Sequence, residues 1–146
     1  MPPPNLGQLL VQLQYPGMSF VESEVTRAWL NQRGTQYDEI TFNVRLGAGV
    51  NPGEEYNEET RRMAELVTQK RADIVARVGD QVDVIEVKVR VSFGAMGQLI
   101  GYRDLWQREH PDLPVRRLVA IGRSVVPDAA DIIENQGIKI ETYPRE

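Results

Sequence analysis

Polar and apolar positions alternate most cleanly in two neighbouring runs near the middle of the chain, Asp73–Val78 and Val82–Val91. A period of two belongs to a strand with two unlike faces. Gly79 and Asp80, between the runs, are turn formers, so the pattern predicts a β-hairpin. Upstream, Ser19 and Glu22 have the spacing of a capping box. Val21, Val25, Ala28 and Trp29 then follow at helical intervals until Gly34. Tyr37–Leu46 is predicted as a strand with Ile40, Phe42 and Val44 on one face. Gly47 to Gly53 is a loop, and Asn57, followed by Glu58 and Glu59, opens an inserted helix over about 57–69. Met63, Leu66 and Val67 form its narrow apolar stripe, and its expected place is near a site entrance.

Downstream, Ser92 is predicted to cap a helix that ends near His110-Pro111. Gly94, Gly97 and Gly101 weaken that helix and would allow another backbone or a ligand to come close. Val115–Ile121 reads as a buried strand. Asp128–Gln136 is a short helix with Ile132 and Ile133 inward, closed by Gly137, and Ile138–Tyr143 is a last strand. Residues 1–18 hold four prolines and two glycines and are expected to form an extended or loosely packed arm. That leaves 19–146 as a single domain. The order of elements predicts an α/β fold with a mixed central β-sheet flanked by helices on both faces.

The hairpin register carries the candidate chemistry. If Val78 and Gln81 flank a two-residue turn, Asp73 lies directly opposite Glu86, and Lys88 shares the face of Glu86. The other face of the second strand offers Ile85, Val87 and Val89 to a core. Like charges directly opposed on paired strands destabilise a sheet, and a hard divalent cation between the two carboxylates would reverse the sign of the interaction. Taken singly, each of the three is an ordinary solvent-facing charge. Lys88 can also be read as an ion-pair partner of Glu86. Together, in one register, they point to a site.

Composition narrows the chemistry. With 146 residues there is room for one domain with a real core. The absence of cysteine excludes disulfides, thiolate-bound zinc and iron–sulfur clusters. His110 is the only histidine, which excludes histidine relays and multi-histidine metal sites within one chain. It precedes a proline at a helix end and reads as a helix-terminal group rather than a base. Any metal must therefore take oxygen ligands, which favours Mg2+, with Mn2+ as a substitute. The net charge of −4 argues against bulk coating of nucleic acid, but not against local action on it. Only Lys70, Lys88 and Lys139 are lysines, so one of them two residues after Glu86 stands out. No apolar run approaches the ~18 residues of a membrane span. The start MPPPNLGQLL lacks the basic and apolar regions of a secretory signal, so a cytoplasmic location with no membrane partner is expected.

Asp73 followed by Glu86-Val87-Lys88 across a hairpin resembles the signature of the PD-(D/E)XK nuclease superfamily. Ala72 stands where that family usually has proline. Gln98-Leu-Ile-Gly-Tyr102 resembles the QxxxY element of its RecB-like branch, and the order of elements over residues 19–143 is similar too. The resemblance implies a restriction-endonuclease-like core and a Mg2+-dependent deoxyribonuclease, with endonuclease expected over exonuclease. It implies metal ligation by Asp73, Glu86 and the Val87 carbonyl, with Lys88 positioning or activating the attacking water. Gln98 and Tyr102 would support the site. A helix glutamate often completes such sites. Glu22 and Glu24 are the candidates here, and helical spacing sets Glu22 on the packed side with Val25, Ala28 and Trp29. Glu22 could equally serve only to close the capping box with Ser19.

DNA is the expected partner. A homodimer or partner subunit is expected where both strands of a duplex are cut, because each chain offers one triad. The alternative is a catalytically silent adaptor on the same fold, within a larger nucleic-acid-processing assembly.

Overall fold

The computed structural model describes residues 2–145. The helices are α1 (Leu6–Leu10), α2 (Phe20–Arg33), α3 (Glu58–Thr68), α4 (Phe93–Glu109) and α5 (Pro127–Asn135). The strands are β1 (Glu39–Leu46), β2 (Lys70–Val78), β3 (Gln81–Val87), β4 (Arg90–Val91), β5 (Val115–Gly122), β6 (Ser124–Val125) and β7 (Ile138–Thr142). Five strands form one mixed sheet in the order β1-β2-β3-β5-β7. β1, β2 and β3 pair antiparallel, while β5 and β7 run parallel to β3. Helices cover both faces, an arrangement consistent with a restriction-endonuclease-like core. No helix among the described residues is long and apolar enough to cross a membrane.

β3 is the central strand, and both of its faces are buried. Ile85 and Val87 join Val25, Trp29 and Leu30 of α2 in one core, while Val82 and Val84 join Leu99, Tyr102 and Trp106 of α4 in the other. The chain therefore places its largest aliphatic and aromatic side chains in two layers on either side of a Val/Ile-rich strand.

Several expectations need correction. The N-terminal stretch is packed rather than loose: Leu9, Tyr15 and Met18 are buried in the α2-side core, and the Tyr15 hydroxyl donates to the Leu9 carbonyl. On β1, Ile40 and Phe42 face the α2 side but Val44 faces the α4 side. Asn43 between them has φ 53°. This left-handed residue swaps the faces of the strand without changing its register with β2. The second hairpin strand ends at Val87 rather than Val91. The chain then steps past the end of β5, and β4 pairs with β6 in a separate two-stranded ribbon. Val89, expected in the core, is consequently exposed. Ile133 is buried as predicted, but Ile132 is exposed.

Asp83, Arg116 and Arg117 form an ion-pair network in which the carboxylate is buried and the guanidinium groups reach the surface. Asp83 is fully buried and accepts from Arg116 Nε (3.0 Å), Arg116 Nη2 (2.7 Å), Arg117 Nη2 (3.2 Å) and the Tyr37 hydroxyl (2.7 Å). A bulge makes this possible. Val82 pairs with Val115 but Asp83 pairs with Arg117, so Arg116 is an extra residue in β5. Two consecutive arginines, which a regular strand would send to opposite faces, thereby reach one carboxylate.

Candidate active site

The β2–β3 register pairs Ile74 with Ile85 and Val78 with Gln81, which sets Asp73 opposite Glu86. The turn is at Gly79, where φ is 60°, a conformation glycine adopts without steric cost. Asp73 Oδ2 accepts the Val87 backbone N–H at 2.8 Å, which fixes the aspartate against the strand that carries Glu86. Lys88 Nζ stands 3.8 Å from Glu86 Oε2 with its side chain about one-third exposed. The two carboxylates and the ammonium thus lie at one place on the α4 side of the sheet.

Glu86 is buried, at 2% exposure, and its Oε1 is sealed from solvent without a hydrogen-bond partner. Burial, and then the neighbouring Asp73, push its pKa up to about 9, against the smaller opposing pull of Lys88. Tyr102, one side of the same site, is raised to about 12, first by burial and then by the charges of Glu86 and Asp73. Its hydroxyl therefore keeps its proton at neutral pH and can donate. Gln98, one helical turn earlier, has a buried Oε1 that is likewise unpartnered. An orphaned buried oxygen costs about 1–3 kcal/mol unless something supplies a donor or a cation. Tyr102 stands beside both residues.

Lys88 is held by its backbone. Its N–H donates to the Ile121 carbonyl at 2.9 Å, and Arg123 N–H donates to the Val89 carbonyl at 2.9 Å. A Cβ on Gly122 would meet the Lys88 carbonyl at 2.8 Å and Val91 Cγ2 at 3.0 Å. The lysine's segment crosses the end of β5 only because a glycine is there. Gly122→Ala should displace the Lys88 segment and lower the melting temperature, which thermal melts of parent and variant would show.

A groove of about 510 Å³ opens beside the site, lined from α4 by Gly97, Gln98, Gly101, Tyr102, Asp104, Leu105 and Arg108 and from β2 by Lys70. Nothing lies within 4 Å of where a Cβ on Gly97 or Gly101 would stand. These glycines do not bring another backbone close; they keep the groove wall low. Next to the groove, Gly47 packs on Leu105, and its N–H donates to Glu109 Oε1 at 2.6 Å.

The structure does not bring Glu22 to this site. It closes the capping box of α2: Ser19 N–H donates to Glu22 Oε1 at 2.8 Å, and Glu22 N–H to Ser19 Oγ at 3.2 Å. Glu24 is paired with Arg123 at 2.9 Å. Among the described residues no group of three acidic or histidine side chains gathers as a metal cluster. The role for Glu22 that helical spacing suggested gives way to the cap, because a carboxylate at N3 is used by the backbone of its own helix. Glu22→Ala is accordingly expected to lower stability by roughly 1 kcal/mol, which urea melts of parent and variant check. His110 ends α4 with its ring stacked on Trp106 at 3.7 Å, remote in role from the carboxylates.

The donor set can accommodate a hard cation without a third side chain. Mg2+ commonly takes one or two carboxylates and keeps several waters. Asp73, Glu86 with its free Oε1, and a backbone carbonyl such as that of Val87 would suffice. Comparisons with protein-family models, curated proteins and solved structures return no match to this chain.

Proposed function

We propose that the protein is a metal-dependent nuclease of the PD-(D/E)XK type that hydrolyses DNA phosphodiester bonds at Asp73, Glu86 and Lys88. The observation that carries this reading is the buried Glu86. It lies opposite a second carboxylate, has one oxygen unpartnered, and has an ammonium 3.8 Å from the other. Such a pair is unfavourable as structure and suited to cation binding.

Asp73 and Glu86 would hold Mg2+ or Mn2+, which when bound would polarise a phosphoryl oxygen and lower the pKa of a coordinated water. The residues do the rest. Lys88, partly exposed on the same face, orients the attacking water and offsets charge that builds on the phosphate oxygens. Gln98 accepts a hydrogen bond from water or substrate through its free Oε1. Tyr102, kept protonated, donates to an oxygen of the substrate. Lys70 and Arg108 in the groove supply cations for the adjoining backbone phosphates.

Incubation with linear duplex, single-stranded and circular DNA in Mg2+, in Mn2+ and in EDTA tests this. Cleavage is expected in both metals and not in EDTA. Cleaved circles would identify an endonuclease. No cleavage of any DNA in either metal would leave the fold as an adaptor.

A further inference from the structure

α4 contains two glycines that its own structure does not require. Gly97 and Gly101 lie in the interior of a 17-residue helix, where glycine is less favourable than alanine. Neither has a positive φ, and nothing stands within 4 Å of where a Cβ would be. Backbone conformation and packing would both admit a side chain at either position. Both glycines line the groove of about 510 Å³. They also belong to a row of residues four apart, Phe93, Gly97, Gly101 and Leu105. The stretch of that row between its aromatic and its leucine therefore carries no side chain, and Phe93 is 47% exposed. The stability given up at the glycines keeps that length of groove open.

The lining says what fits. Gly97, Gly101 and Leu105 offer carbon, while Lys70 and Arg108 bring positive charge. Asp104, the acid of the lining, is paired with Arg103 at 3.1 Å. Tyr102, also of the lining, stands beside buried Glu86, whose Oε1 has no partner. Lys70 and Leu105 border a second cavity of about 230 Å³ at the 47–50 loop as well, so the path continues beyond the groove. An apolar floor with flanking cations suits a strand whose base faces are free, because a base can lie on carbon while the phosphates meet the cations. Paired DNA presents its phosphates and base edges and keeps the base faces in the stack. A duplex is also gripped through many phosphates, whereas this groove has two cations in a chain of net charge −4.

We propose that this groove seats an unpaired stretch of the DNA strand, and that Gly97 and Gly101 are the residues that select it. This rests on the reading of the adjoining carboxylates as a nuclease site, and it names the form of DNA that the site receives. A side chain at either glycine would stand where the base lies, and the bare helix surface admits the base face.

Fluorescence anisotropy of a labelled oligothymidylate and of a blunt duplex of equal length, with the full chain in EDTA at low salt, tests the groove. The parent should bind the unpaired strand more tightly than the duplex by at least about tenfold, the worth of one stacked base. Gly97→Leu and Gly101→Leu should each lose that preference, with duplex binding unchanged. Both should melt at or above the parental temperature, because a side chain there meets open space and strengthens the helix. Gly101→Ala should show the same pair of effects, with the smaller loss of binding. A parent that binds no DNA or prefers the duplex overturns the proposal, as do leucine variants that bind the unpaired strand as tightly as the parent. Leucine variants that melt below the parent overturn it too, since the glycines would then serve packing. If any of these results appears while DNA is cut in Mg2+, the nuclease reading stands without this groove. An unpaired strand that binds as expected but is not cut supports the groove and removes the proposed activity.

Discussion

Asp73→Asn, Glu86→Gln and Lys88→Ala are each expected to slow DNA cleavage by at least ~10²–10³-fold, the usual loss when one preorganised electrostatic group is removed. The fold should survive all three. The Asp73 side chain makes one backbone hydrogen bond, to Val87 N–H, and an Asn side-chain oxygen can still accept it. Lys88 is partly exposed, and among the described residues its ion pair is the 3.8 Å contact with Glu86. Glu86→Gln replaces a buried, high-pKa acid by a neutral group of the same shape. Lys88→Ala is the sharpest of the three, because it leaves both carboxylates in place. Normal metal response with lost cleavage would assign Lys88 to the chemical step. Cleavage at the parental rate would remove it from the mechanism.

The largest stability effect is expected away from the site. Asp83→Ala should cost on the order of 3 kcal/mol, the lower part of the range for breaking a buried ion pair, because Arg116 and Arg117 can reach water once released. For a chain of this size that corresponds to roughly 6–12 °C in melting temperature. The loss includes the Tyr37 hydroxyl, which is left buried without its acceptor. Burial alone would raise the Asp83 pKa, but hydrogen bonds from Arg116 and Tyr37, with the two guanidinium charges, together hold it below the usual carboxylate value. A depressed pKa contributes stability that is present above the unfolded value of ~3.9 and is lost as pH falls through the folded one. The difference in stability between parent and Asp83→Ala should therefore be full at neutral pH and shrink in acid. A difference that stays constant down to the acid transition would contradict the network.

What the sequence made legible follows from periodicity. The hairpin, its register, the pairing of Asp73 with Glu86 and the order of the sheet elements all came from period-two and helical spacing. What it hid depended on single residues that break the period. Asn43 in the left-handed region turns Val44 to the other core, which no alternation rule anticipates. The step after Val87 takes Val89 out of the core because the strand changes partner, a tertiary event. The bulge at Arg116 brings two consecutive arginines to one buried carboxylate. Asp83 flanked by Val82 and Val84 was a faint sign of it, since a charge amid β-branched residues on a central strand needs a partner. Glu22 satisfied both a helical-face argument and a capping box, and only geometry separates them. Gly122, which lets Lys88 pass β5, was indistinguishable from a strand-end glycine.

The central claim is that Asp73 and Glu86 form one cation site, and thermal melting across a Mg2+ or Mn2+ titration with an EDTA control tests it without a substrate. In EDTA, Glu86 has a raised pKa, so its ionisation should penalise the fold increasingly as pH rises from the usual carboxylate range towards about 9. Metal binding should remove that penalty and raise the melting temperature, by about 2.7 kcal/mol of stability at 100 times the dissociation constant. Asp73→Asn should lose most of the metal response, because one of the two carboxylates that would hold the cation has gone. Equal metal responses in parent and Asp73→Asn would contradict a cation site at this pair.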